Sequence, residues 1–506
     1  MKNEHELETL VINFFDEFYY TFSSKATSHG IHRYDYKLSS FKINDLNSLK
    51  VLTTETLSNI KSLEAKNPKD PDIKTFKKIL LNTLEFVNDG YKNSLQFIVG
   101  DVLDGIISVA LTSAKPTSIK SRNFTNRLTC IKEYPDIIRE HFPSISEIEK
   151  QAILKEFDFL DKFIDAASSY LLTKSDSEKK ELLKNEKINI KENIDYLRKT
   201  VSNIHSNGKV NLRATLRCVN IENTDFTDLK NFLQGSLDEL SSNVIKKSRE
   251  IKISAPYFET LASVSMLKEK LDDSQIEQLL QIATDVTRKY FNKFNAKIDL
   301  DIYRRNFDII PFLENHKKNV ITFGEFDIKK FIAIIIQDEE NKNYLMQNIV
   351  KEGLPGKAVL NYYRQREKSI KKYFTNYAFY EGFSTYVKRA TFADFRNAFS
   401  SREFELLYFY DEYIYTLKAF LENEIYFRGI SDIEIENLVK QDKILIDKDN
   451  FLTELIVDEG KSFLGMQGYH KILEIEKYER KNLSNGLGQE LKQAIYYPFY
   501  LYKTQR

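Results

Sequence analysis

The chain contains no tryptophan, two cysteines, nine prolines and sixteen glycines among 506 residues. The cysteines, Cys130 and Cys218, lie far apart and outside any ligand spacing, which argues against a disulfide framework or a cysteine zinc site and for a reducing compartment. Scarce glycine and proline imply long helices joined by short turns. The best apolar runs, "FIAIII" from Phe331 and "GIISVALTSA" from Gly105, fall short of the roughly 20 residues a membrane helix needs. An excess of one charge is missing too. The 75 Lys and Arg nearly cancel the 74 Asp and Glu, and no segment gathers basic residues without acidic neighbours, so neither nucleic acid nor a membrane is an expected partner. The stretch "MKNEHELETLVINFFDEFYY" has no uninterrupted apolar region followed by small residues, as a signal peptide would. A cytoplasmic protein is expected on these grounds. Gly-rich phosphate loops and nucleophile elbows are also missing, which leaves nucleotide hydrolysis unsupported.

Helical periodicity is what the sequence does have. Ile153, Phe157, Leu160, Ile164, Ala167 and Leu171 line one helix face behind a capping box of Ser146 and Glu149. Ile276, Leu279, Leu280, Ala283, Val286 and Tyr290 repeat the pattern behind Ser274 and Glu277. Segments 48–66, 74–112, 228–248, 358–392 and 402–427 read as further helices, the last a tyrosine-rich core helix with hydroxyl tips. The clearest strand signal is "NVITFGEFDIKKFIAIII", residues 319–336, read as a short hairpin or two edge strands. The expected fold is mostly α: one large helical domain, divisible into an N-terminal lobe over about 1–250 and a motif-bearing lobe over 251–506, with a small β element before the motif helix.

That motif is "IVKEGLPGKAVLNYY", residues 349–363, where Gly353, Pro355 and Gly356 interrupt a helical pattern between Lys351 and Lys357. Six residues on an ideal helix leave the two lysines about 120° apart, so they converge only if the helix breaks. Glu352 lies between them, and Glu381 and Gly382 follow in "AFYEGFSTYV". A kinked helix presenting ligands, with a carboxylate from the next helix, is the layout of zinc hydrolases.

The chain resembles the bacterial family called domain of unknown function 885, helical proteins similar to zinc peptidases and marked by HExxPGH followed by EGWALY. "KEGLPGK" keeps Glu352, Pro355 and Gly356 of the first motif, and "EGFSTY" keeps Glu381, Gly382 and Tyr386 of the second. "ENEIYFRGIS", residues 422–431, is similar to a third, DTGIHALGWS, while "ATSHGIHRYDYKL" and "GMQGYHKI" match more loosely. The resemblance implies a zinc-peptidase-like scaffold, with Lys351, Lys357 and Glu381 at the former metal positions and Glu352, Pro355, Gly356, Gly382, Tyr386 and Glu422 around its cleft.

The departures decide the chemistry. Both metal-binding histidines are lysines, the histidine of the third motif is Tyr426 and its aspartate is Glu422. A protonated lysine has donors and no lone pair, so two ammoniums repel a dication. They carry the charge of one Zn²⁺ and could balance Glu352 and Glu381 in its place. No metal and no cofactor is expected, and carboxylate-only binding through Glu352, Glu381 and Glu422 is opposed by the adjacent ammoniums. His470 is given a hydrogen-bonding role, as are His29 and His32. The leading expectation is a pseudoenzyme whose cleft binds a peptide, an acidic small molecule or a protein partner. The alternative is a metal-independent enzyme using Lys351, Lys357, Glu352 or Tyr426.

Overall fold

Two of the expected helices show how side chains start them. Helix Glu147–Thr173 begins behind Ser146, whose hydroxyl accepts from the Glu149 N–H at 3.1 Å. Glu149 does not close the expected capping box. Its carboxylate accepts instead from the Gln96 N–H at 3.0 Å and so caps the neighbouring helix Leu95–Leu111. Helix Asp273–Asn292 starts behind Asp272, two residues before Ser274: Asp272 accepts from the Gln275 N–H at 2.8 Å, and the Gln275 side chain accepts from the Asp272 N–H at 2.9 Å. Apolar spacing located both helices, but their caps depend on which polar side chain reaches an orphan N–H.

The computed structural model describes the chain apart from residues 1, 29, 89–90, 92–93, 112–116, 174–176, 211–225, 293–306, 312–319, 322–331, 337–340, 361–368, 375–376, 400, 459 and 483–506. It is mostly α. The expected segments 48–66, 228–248 and 402–427 fall within helices Ile43–Lys66, Phe226–Ile251 and Arg402–Arg428. Segment 74–112 divides into Pro71–Asn88 and Leu95–Leu111. Segment 358–392 is not one helix: a 3-10 turn at Ile370–Tyr373 precedes helix Tyr377–Ala390. The connection 322–331 of the expected hairpin, His29 and much of 358–369 lie outside the described residues. Among the described residues no helix is long and apolar enough to cross a membrane.

Strands Val320–Ile321 and Ile332–Ile336 pair antiparallel with Val320 opposite Ile334, as a hairpin would. A third strand, Phe307–Pro311, runs parallel to Ile332–Ile336 on its other side. Ile332–Ile336 is therefore central rather than an edge, in keeping with its continuous run of apolar residues.

One apolar cluster extends from Leu7 to Ile204 and takes in Phe374 from the other half of the chain. Tyr373 stacks on Phe15 at 5.1 Å between ring centroids, and Phe374 on Phe76 at 6.1 Å. Helix Phe226–Ile251 belongs with the motif-bearing half: Leu237, Leu240 and Val244 pack with Leu406, Leu407 and Tyr410. Ile148 and Ala152 of helix Glu147–Thr173 also pack against that half, in a cluster with Leu229 and Phe463. An amphipathic stripe announces a buried face without naming what covers it.

Helices Tyr377–Ala390 and Lys461–Asn482 cross at Gly382 and Gly468, close enough that a Cβ on Gly468 would overlap the Ala378 carbonyl. Gly235, within helix Phe226–Ile251, has nothing within 4 Å of an added Cβ. Gly468→Ala is therefore expected to cost about 3 kcal/mol or more in urea unfolding. Gly235→Ala is expected to stabilise the same protein by about 0.5–1 kcal/mol.

Candidate functional site

The interrupted motif forms a π-turn, Ile349–Gly353, continuing helix Lys342–Asn348. A turn then carries the chain through Leu354, Pro355 and Gly356 before helical backbone resumes at Lys357. The Gly356 N–H donates to the Val350 carbonyl at 3.0 Å, and a side chain on Gly356 would collide with the Lys351 carbonyl. Glycine is required because two stretches of backbone touch there. This closure brings Lys357 back onto Glu352, five residues earlier.

Lys357 Nζ lies 2.8 Å from Glu352 Oε2 and 2.8 Å from Glu381 Oε1. The three side chains are largely buried, with 11%, 21% and 10% of their surface exposed respectively. Burial opposes the charge on Lys357, but the two carboxylates outweigh it and hold the ammonium well above the usual lysine range. Lys351 behaves differently. Its Nζ lies over the Tyr415 ring, 3.8 Å from the centroid. Burial lowers its pKa and Lys357 adds to that, while Glu352 and Glu381 oppose. Of the two lysines expected to share the metal's place, Lys357 alone bridges the carboxylates.

Tyr415, which spacing did not single out, supports the centre from helix Arg402–Arg428. Its ring carries Lys351, and Gly465 leaves room for its hydroxyl. Burial pushes the phenol well above its ordinary range, Glu381 adding to the effect and a hydrogen bond with Thr385 opposing it.

A second ionic cluster continues along helix Tyr377–Ala390, seven and eight residues beyond Glu381. Lys388 pairs with Asp411 and with Glu412 at 2.9 Å, while Arg389 pairs with Glu412 from the other side. Burial works against the Glu412 charge, yet Lys388 and Arg389 bring its pKa down to about 2.

The remaining motif residues take other positions. Pro355 is buried in the turn, and Gly382 meets Gly468 in the helix crossing. Tyr386 is buried, sharing a hydrogen bond with Tyr290, and Tyr426 packs its ring on Phe427 and Phe463. Glu422 caps helix Lys461–Asn482 by accepting from the Phe463 N–H, and burial raises its pKa to about 8 against that bond. His32 Nδ1 lies 3.0 Å from Asp35 Oδ2. His470 joins Asp228 and Glu474 in a group whose donor atoms lie within 4.8 Å of one another, a cation-holding potential that the sequence did not reveal because Asp228 comes from another helix.

Zinc does not fit the motif centre. Lys351 and Lys357 offer a metal no lone pair while protonated, and Glu352 and Glu381 are bonded to an ammonium kept charged.

Removing Lys357 leaves two buried carboxylates facing each other. Lys357→Met is expected to lose about 3–5 kcal/mol in urea unfolding, most of it recovered when Glu352→Gln and Glu381→Gln are added. Glu422 gives a pH signature of opposite sign to an ion pair. It keeps its proton in the fold up to about pH 8 and loses it near 4.5 when unfolded, so it lowers stability as pH rises through that window. Glu422→Gln should match the parent at pH 4 and exceed it in melting temperature at pH 8.

No family model matches the sequence, and no curated protein matches it. Its fold is similar to those of several solved chains, two of which are described as follows. One is a candidate lipoprotein of unknown function from Shewanella oneidensis, at 13% identity and TM-score 0.65, covering 97% of each chain. The other is a candidate lipoprotein from Colwellia psychrerythraea, at 12% identity and TM-score 0.71, covering 97% of this chain and 96% of that one. Both neighbours are described as lipoproteins, which anchor to membranes, and on that finding the cytoplasmic expectation drawn from composition does not stand. Neither low cysteine content nor the pattern of residues 1–20 fixes a compartment.

Proposed function

We propose that this protein is a metal-free member of a zinc-peptidase-like lineage, the one its motifs resemble, in which the former catalytic cleft serves for binding. The observation that carries the reading is the ammonium of Lys357 at 2.8 Å from both Glu352 and Glu381. A water-activating metal peptidase needs a glutamate free to act as base and a cation with open coordination positions. Here both glutamates are committed to a cation that offers no such position. The ligand class is a peptide, an acidic small molecule or an acidic segment of a protein partner. Lys351 is the cation left for such a group, since among the described residues no carboxylate pairs with it at contact distance.

Metal analysis and peptidase assays test the reading together. The purified protein is expected to hold no tightly bound zinc at the motif and to show no chelator-sensitive peptide cleavage; stoichiometric zinc that is lost when Glu352→Gln and Glu381→Gln are combined would overturn it. Lys351→His combined with Lys357→His, on a His470→Ala background to remove the Asp228 group, is expected to gain zinc affinity. An unchanged zinc titration of the folded variant would mean that the scaffold is not a former metal site.

A further inference from the structure

We infer that Asp228, His470 and Glu474 form a site for a divalent transition ion, with Zn²⁺ favoured by their donor set, and that the ion ties helix Phe226–Ile251 to helix Lys461–Asn482. Each side chain brings one donor atom, and these atoms lie within 4.8 Å of one another. None of the three is a ligand position of the motif, so the site stands apart from the binding role proposed above.

Helix geometry on both sides accounts for the placement. His470 and Glu474 are four residues apart, as are Asp228 and Phe232, so each pair shares one face of its helix. The two faces meet: the His470 ring packs on Phe232 at 4.6 Å between centroids, and Tyr469 reaches Phe232 at 6.0 Å. That contact restricts rotation of the imidazole, of which 22% is exposed. Its Nε2 lies 3.7 Å from Asp228 Oδ2. A hydrogen bond would span about 2.7–3.2 Å, so the pair is too far apart for one. Two ligands of a tetrahedral zinc with bonds of about 2.1 Å stand roughly 3.4 Å apart, which the pair nearly matches. The widest pair in the group has to close by at most roughly 1.5 Å to reach the same span, and both carboxylates are exposed and able to turn.

The donor set narrows the ion. One imidazole with two carboxylates leaves a fourth position to water, an N/O environment that suits zinc, whereas Mg²⁺ and Ca²⁺ take oxygen ligands. Two carboxylates balance a dication. Two features oppose it: Lys471 Nζ lies 2.9 Å from Glu474 Oε2, and Asp228 stands in the first turn of its helix, where the backbone dipole disfavours a cation. The lysine pair is at the surface, where such pairs are weak, and it takes one of the two carboxylate oxygens.

Full-length protein stripped with a chelator and titrated with Zn²⁺ by calorimetry tests this. The parent is expected to take up one zinc saturably and to melt at a higher temperature with it, because the ion binds the folded arrangement of the two helices. His470→Ala, Asp228→Ala and Glu474→Ala are each expected to weaken uptake at least about tenfold and to lose the melting shift. Equimolar Mg²⁺ is expected not to displace the zinc. Folded protein without saturable uptake, uptake unaltered in any of the three variants, or displacement by equimolar Mg²⁺ overturns the inference. Zinc lost with His470→Ala leaves the metal-free reading of the motif standing, whereas zinc lost when Glu352→Gln and Glu381→Gln are combined bears on that reading alone.

Discussion

An ammonium buried among helices is tolerable only where carboxylates meet it at contact distance, and Lys357 between Glu352 and Glu381 is the constraint on which the motif region depends. The two carboxylates reach it by different routes. Glu352 arrives through the π-turn, closed by the Gly356 N–H on Val350 and by the bare Cα of Gly356. Glu381 arrives with a whole helix, whose approach is set by Gly382 against Gly468. Backbone contacts at three glycines thus determine one ionic geometry, and a methyl group at any of them would move a charge as well as a chain.

The same economy extends to helix Arg402–Arg428, which is capped by Ser401 at one end and by left-handed Gly429 at the other. It is buried on most sides, yet it carries Glu412, Lys418 and Glu422 inward. Each charge has an answer on a neighbouring element: Lys388 and Arg389 for Glu412, Glu454 and Asp458 for Lys418, and the Phe463 N–H for Glu422. Glu412 is held ionised by two cations at contact distance, whereas Glu422, met by the neutral backbone donors of Phe463 and Gly460, is pushed by burial towards its protonated form. Depth is common to both, and the kind of partner decides the sign.

The sequence disclosed the helices whose apolar residues recur at three and four, because that spacing reports a buried face directly. It disclosed Glu352, Gly356 and Glu381 because a helix break and a motif resemblance marked them. Other features depend on distances along the chain that no local pattern encodes. Glu149 is 53 residues from the Gln96 N–H it accepts from, and Arg389 is 23 residues from Glu412. Tyr415 could have been found only by asking which side chain of the tyrosine-rich helix faces a glycine, and Gly465 is that glycine. Helix Phe226–Ile251 has the same limit: its stripe marks a buried face without naming Leu406, Leu407 and Tyr410 as the residues that cover it.

The two lysines carry this furthest. As letters they bracket the break symmetrically, and the reading by charge count made them a joint substitute for one dication. Contact geometry divides the labour instead. One ammonium between two carboxylates leaves that trio with a single net negative charge, and Lys351 balances it from beyond contact distance. Exclusion of a metal therefore requires Lys357 alone. Lys351 is bound only by long-range attraction and an aromatic face, both weaker than a contacting carboxylate. A cation held by an aromatic face is free to meet a ligand's negative charge, whereas one bonded to two carboxylates is not.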